Sequence, residues 1–451
     1  MRKLIATSAC VTASVFAFAQ TNPAITSWLQ NTTVKGRHYV SGNSTAITDA
    51  SLTANVQSVQ YSANFVYATT QGIPSYVVGP YLDGNPSQAT NQNAIFKFPL
   101  TPVQNTATAV STTGGNIGVF INGAAMFDYR DGVSWKNSTG AYAGGPIGGM
   151  GDGVWNRDAI PAEKAGFDCS KGHPAMGNYH HHQNPSAFDL DLNVISTICN
   201  LYDADGLYAL DSTVHSPLIG FAYDGFPVYG AYAYKNTNGT GGIVRMKSSF
   251  SLRNITVRNT LYTGASVTAG PNVSTTYPLG TFKEDYQFIT PTASDYLDYH
   301  NGRFCVTPEY PAGTYCYFAT VDANWNSAYP YLIGPTYYGT KVAAKVTSIS
   351  ESVTSYTASS TGVNSNSIND GKVNVFPNPA SDLIAIQIKD LVKENYDVVL
   401  YDVTGKVVEQ KTLYQGSTIV YFDTKTLYSG VYFVKIIVGD NVINKKIIIE
   451  K

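Results

Sequence analysis

Apolar and polar positions alternate with a period of two over many short stretches of the chain, while the spacing of a buried helix face is rare. Residues 56–69 carry one such strand pattern. Residues 117–121 carry another, closed by the turn pair Asn122-Gly123. Residues 157–164 are an exception, since Asp158 is placed to cap a short helix and Glu163 lies a turn further on. Beyond residue 371 the alternation is cleaner: residues 382–388, 397–402, 407–409, 430–436 and 444–449 each read as a strand. Five to seven strands in about 80 residues suit a small immunoglobulin-like β-sandwich. The expected fold class is therefore mainly β, a large β-rich domain with long loops and little helix followed by that sandwich.

The chain divides into four parts. Arg2 and Lys3 precede an uncharged run to Phe18, and Ala17-Phe18-Ala19 offers a cleavage site, so residues 1–19 read as a signal peptide. Residues 22–340 keep one texture, short runs of Val, Ile, Tyr and Phe broken by Gly, Pro and Asn. Residues 341–370, rich in Ser, Thr, Asn and Val, read as a flexible linker. In residues 371–451, 19 of 81 positions are charged against 41 of the preceding 370, which marks a new domain.

Composition narrows the function. The 33 tyrosines and 40 glycines fit β-structure joined by many turns. The net charge of −2, with no dense Lys/Arg run, leaves no electrostatic footprint for nucleic acid. No transmembrane segment is expected either, because the leader is too short and too polar to span a bilayer. Cys10 falls in the leader, and Cys169, Cys199, Cys305 and Cys316 remain. An even count in an exported chain favours disulfides, with three pairings open and the local ones, Cys169–Cys199 and Cys305–Cys316, preferred.

The chemistry centres on Tyr179-His180-His181-His182. On a strand, His180 and His182 share a face about 7 Å apart at their Cα atoms and His181 takes the other. Two imidazoles so placed suit Zn²⁺ or Cu²⁺. Further ligands are sought at His215 and His300, with His173 as another candidate. Asp168, Asp224, Asp298, Arg303 and Glu309 are candidates to orient the imidazoles or touch a ligand. Without a metal, the same imidazoles suit general-base catalysis. The segment from His215 to Gly230, dense in aromatics, prolines and glycines, reads as a rigid strand–turn–strand that forms either core or the floor of a cleft. The segment 295–304 reads as a hairpin in which Arg303 pairs with Asp298. Asp203-Ala204-Asp205-Gly206, with Asp211, is similar to the start of a calcium loop but lacks its closing glutamate, so Ca²⁺ is a minor candidate. Gly144-Gly145-Pro146-Ile147-Gly148-Gly149 lacks the lysine of a phosphate loop and is read as a plain loop.

Residues 179–182 and 215–230, Asn301-Gly302-Arg303-Phe304-Cys305-Val306-Thr307-Pro308-Glu309 and Tyr329-Pro330-Tyr331-Leu332-Ile333-Gly334-Pro335 occur in order. Over residues 55–340 the chain thereby resembles the YHYH family. His180 and His182 keep that family's two histidine positions, and His181 replaces its second tyrosine. The resemblance implies no established activity. The segments Asn374-Val375-Phe376-Pro377-Asn378-Pro379-Ala380, Asp402-Val403-Thr404-Gly405-Lys406 and Gly430-Val431-Tyr432-Phe433-Val434 resemble the type A sorting domain of the type 9 secretion system. That resemblance implies passage through the periplasm, recognition of residues 371–451 by the secretion machinery, and release or surface attachment. Two functional readings stand: a secreted transition-metal protein, with an enzyme acting on an extracellular polymer or small molecule as its catalytic form, and a non-catalytic surface or ligand-binding protein whose histidines are structural.

Overall fold

A computed structural model describes residues 22–40, 46–81, 88–168, 170–185, 212–342, 345–357, 373–388, 395–403, 405–414, 417–438 and 441–451. The signal peptide, Cys169, Cys199 and the Asp203, Asp205 and Asp211 loop lie outside the described residues. The chain forms two compact units, Met1–Thr357 and Ala358–Lys451. Both are built from β-strands and loops. Among the described residues only Pro23–Thr26 and Ala159–Glu163 are α-helical, and no helix is long and apolar enough to cross a membrane.

An eight-stranded mixed sheet organises the first unit. Its order is His173–Ala175, Asn178–His181, Ala125–Phe127, Asn116–Phe120, Leu218–Ala222, Pro227–Tyr229, Thr314–Phe318 and Gly302–Cys305. Leu218–Ala222 and Pro227–Tyr229 are buried at every residue, as expected of strands covered on both faces. Residues 218–230 are thus core, joined at the Asp224-Gly225 turn. A second, five-stranded sheet runs Lys345–Val346, Ala94–Pro99, Phe65–Thr70, Val56–Tyr61, Thr354–Tyr356. The Trp28 ring lies 5.5 Å from Phe98 of this sheet and 5.3 Å from Phe221 of the larger one, joining the two in a single core.

The expected linker begins later than residue 341. Lys345–Val346 and Thr354–Tyr356 add to the outer edges of the five-stranded sheet. Their side chains are mostly exposed, so backbone pairing rather than apolar burial holds them, and their composition looks like that of a linker.

In the second unit, Val373–Phe376, Leu383–Ile388 and Ile419–Asp423 form one sheet. Val407–Leu413, Tyr396–Asp402, Gly430–Val438 and Asn441–Ile449 form another. Ile384 and Ile386 of the first sheet share one apolar core with Val398, Leu400, Val434 and Ile436 of the second.

Candidate metal centre

A tight hairpin builds the site. Met176 (φ 51°) and Gly177 (φ 82°) both take the left-handed conformation, which a two-residue type I′ turn requires. A Cβ on Gly177 would also lie 2.1 Å from Thr90 Oγ1, so glycine alone fits. The turn folds His173–Ala175 back on Asn178–His181 with His173 directly opposite His180. Strand alternation then brings His182 out beside His180 and sends His181 to the other face. The ligand atoms of His173, His180 and His182 all lie within 4.8 Å of one another, and all three residues are buried.

Backbone carbonyls set the tautomers. His180 Nδ1 lies 2.9 Å from the Asn178 carbonyl oxygen, and His182 Nδ1 lies 2.5 Å from that of Asp128. A carbonyl can only accept, so each Nδ1 donates and each neutral ring keeps its lone pair on Nε2. Those two Nε2 atoms are 3.1 Å apart. Burial, followed by repulsion from His182 and His173, holds the His180 pKa well below its ordinary value. Phe127, from the neighbouring strand, stacks on His180 at 3.6 Å between ring centres.

The helix Ala159–Glu163 contributes the fourth group. Its cap is Asp158, whose carboxylate accepts from the Ile160 N–H at 3.0 Å. At its other end Glu163 Oε2 sits 3.2 Å from His182 Nε2 and 3.4 Å from His173 Nε2. Burial raises the Glu163 carboxyl, whereas hydrogen bonds and charge from His173 and His182, when those rings are protonated, hold it below the usual carboxylate range. Oε2 is buried with no hydrogen-bond partner among the described residues. A carboxylate oxygen facing imidazole nitrogens in this way suits a cation between them.

The four side chains open onto a cleft of about 730 Å³, also lined by Arg130, Asp131 and Arg157, within the size range of small-molecule sites. Gly145 and Pro146 line it as well, so the glycine-rich loop shapes the mouth.

His181 has a different task. Its Nδ1 donates to the Lys171 carbonyl at 3.1 Å and its Nε2 accepts from the Tyr76 hydroxyl at 2.7 Å. Burial pushes its pKa down to about 3. Gly172 leaves room for this packing, because a Cβ there would lie 2.8 Å from His181 Cε1. Asp168 anchors the same region, accepting from the N–H groups of Gly79, Ser170 and Gly172 and from Tyr179 Oη. None of these hydrogen bonds goes to His173, His180 or His182.

The third imidazole is His173, and neither His215 nor His300 belongs to the cluster. His215 donates from Nδ1 to the Ser216 carbonyl at 2.8 Å and packs against Tyr229 and Tyr234. His300 Nδ1 is 2.9 Å from the Thr336 carbonyl. Asp224 takes hydrogen bonds from Tyr317 Oη and the Gly339 N–H, and Glu309 takes one from Tyr229 Oη. Arg303 does not pair with Asp298. It donates to the carbonyls of Tyr234, Lys235 and Ser294, while Asp298 accepts from Tyr315 Oη. These residues hold the far half of the eight-stranded sheet together. Cys305 and Cys316, on adjacent strands, are buried free thiols, so the expected disulfide is not formed.

The sequence pattern places the helix but gives Glu163 no chemical role. The missing signal was tertiary, the approach of that helix end to the hairpin.

The family model for YHYH protein matches residues 95–330, more than half of the chain. The model for the secretion system C-terminal sorting domain matches residues 374–450, which supports an extracellular or surface location. No curated protein matches the chain.

Proposed function

We propose that this chain, which belongs to the YHYH protein family and ends in a type 9 sorting domain, holds one Zn²⁺ or Cu²⁺ ion at the Nε2 atoms of His173, His180 and His182. One observation carries the reading. Two imidazoles whose Nδ1 hydrogens are committed to carbonyls bring their Nε2 lone pairs to 3.1 Å. Lone pairs that close repel unless a cation lies between them. Metal–nitrogen bonds of about 2.0–2.1 Å at a tetrahedral angle separate two nitrogens by about 3.3 Å. Glu163 stands where a fourth ligand or a base for a metal-bound water belongs. Three nitrogens and a carboxylate favour Zn²⁺ or Cu²⁺ over oxygen-seeking cations such as Ca²⁺. A metal held beside an open cleft would polarise a substrate or activate water there. The substrate class expected is a small molecule or a piece of extracellular polymer.

A second reading uses the pair at 3.2 Å, Glu163 with His182. A proton shared there would make the cluster a metal-free acid–base device. Elemental analysis with a metal titration of the full-length, EDTA-treated protein separates the two. The metal reading expects about one Zn²⁺ or Cu²⁺ per chain. It also expects about 2.7 kcal/mol of added stability at a hundredfold excess over the dissociation constant. Folded protein that takes up no ion and gains no stability rules out the metal reading and leaves the acid–base reading and that of structural histidines.

The C-terminal unit is, in this proposal, an immunoglobulin-like sandwich recognised by the secretion machinery after residues 1–19 are removed. Export also gives Cys305 and Cys316 an oxidising setting. There the two thiols would pass two electrons and two protons to an external disulfide as they bridge.

A further inference from the structure

We infer that the cleft selects a carboxylate-bearing small molecule, with the Arg157 guanidinium as the carboxylate's partner. The inference rests on the metal reading above and extends it to the substrate. Arg157 lines the same cleft as the three imidazoles. Its Nε donates to Asp131 Oδ2, and its guanidinium carbon lies 5.2 Å from the centre of the Tyr142 ring. Asp131 is itself fixed, its Oδ1 accepting from the Val133 N–H at 2.9 Å. One edge of the guanidinium is therefore held by a carboxylate and one face by an aromatic ring. Among the described residues no hydrogen bond engages either Nη. Two parallel N–H donors on a fixed planar group match a carboxylate's two oxygens. Arg130, which also lines the cleft, differs: its Nε and Nη2 are taken up by Asp128 and the Thr112 carbonyl.

Charge counting gives the sign. With the imidazoles neutral, as ligation requires, the metal-free cleft region holds two guanidiniums against the carboxylates of Asp128, Asp131 and Glu163, a net of about −1. A divalent ion turns that to about +1 and leaves the Arg157 donors as the unfilled positive feature. The metal-free cleft favours a cation, and the loaded cleft favours an anion. The remaining walls are apolar or bare backbone. Phe127, Pro146 and Pro174 line the cleft, and a Cβ on Gly115 would meet nothing within 4 Å. A carboxylate attached to a small apolar body fits both parts.

Benzoate and uncharged benzamide serve as probes in calorimetric titrations of the full-length, zinc-loaded protein, with zinc content read on the same samples. Benzoate is expected to bind at least tenfold more tightly than benzamide, and only to the loaded form. Arg157→Gln should weaken benzoate at least tenfold while zinc stays at one ion per chain and the melting curve remains cooperative. Arg157→Lys, which keeps the charge and loses the fork, should fall between them. Equal binding of benzoate and benzamide by the loaded wild type, a comparison that needs no variant, would overturn the inference. So would a benzoate affinity unmoved in Arg157→Gln. A wild type that takes up no zinc sinks the metal reading first and this one with it, and the zinc assay tells that failure from the others.

Discussion

Alanine at His180 or at His182 is expected to lower Zn²⁺ affinity at least about a hundredfold, the upper end of what losing even a ligand's orienting partner costs. Each substitution removes one of the two nitrogens that converge at 3.1 Å and leaves only two imidazoles and Glu163 to hold the ion. Leucine at His181 is the matched control, one residue away on the same strand. It faces the other way, and its loss costs the Tyr76 hydroxyl and the Lys171 carbonyl one hydrogen bond each. The expected result there is about 2 kcal/mol or more of lost stability with metal stoichiometry unchanged. Competition against a chromogenic chelator reads the affinities, and urea unfolding reads the stability. Three variants behaving alike would mean that the strand's alternation does not divide ligands from scaffold.

The largest loss of stability is expected from Arg258→Met, about 3–5 kcal/mol, the usual cost of breaking one side of a buried ion pair. Arg258 and Asp285 are both fully buried and meet through two hydrogen bonds, Nε to Oδ1 at 2.7 Å and Nη2 to Oδ2 at 2.9 Å. The remaining donors reach the carbonyls of Pro271, Tyr277 and Pro278. Asp285 Oδ2 in turn accepts from the N–H groups of Gly280 and Phe282. Methionine fills the space but takes the cation from a fully buried carboxylate and the donors from three part-buried carbonyls. The damage reaches the support of the histidine cluster, because Asp158, cap of the Glu163 helix, donates its N–H to the Thr281 carbonyl. All four tryptophans, Trp28, Trp135, Trp155 and Trp325, lie before residue 358, so indole fluorescence during urea unfolding follows the first unit alone. An unfolding free energy within about 0.5 kcal/mol of wild type would refute this account of the loop.

Local order was legible where its cause is local. The His180/His182 alternation, the Asp158 cap and the apolar rhythm of the C-terminal strands each follow from neighbours a few residues apart. The Asn122-Gly123 turn does too. His173 was harder to read. It lies three residues before the Met176-Gly177 turn and His180 lies three after it, a symmetry that becomes informative only once that pair is seen as a turn. His215, His300, Asp224 and Arg303 are as rich in chemical groups as the true cluster, and sequence cannot distinguish them from ligands. Their partners, Tyr229, Tyr317 and the carbonyls near Tyr234, arrive through sheet pairing between distant segments. Glu163 belongs to the same class, since a helix end becomes chemistry only when tertiary packing delivers it.

Anomalous diffraction from crystals of the Zn²⁺-loaded protein, collected on both sides of the zinc edge, tests the central claim most directly. The account predicts one strong peak about 2.0–2.1 Å from the Nε2 atoms of His173, His180 and His182, on the side facing Glu163. Well-ordered imidazoles with no peak between them, or zinc found only at other residues, would contradict it.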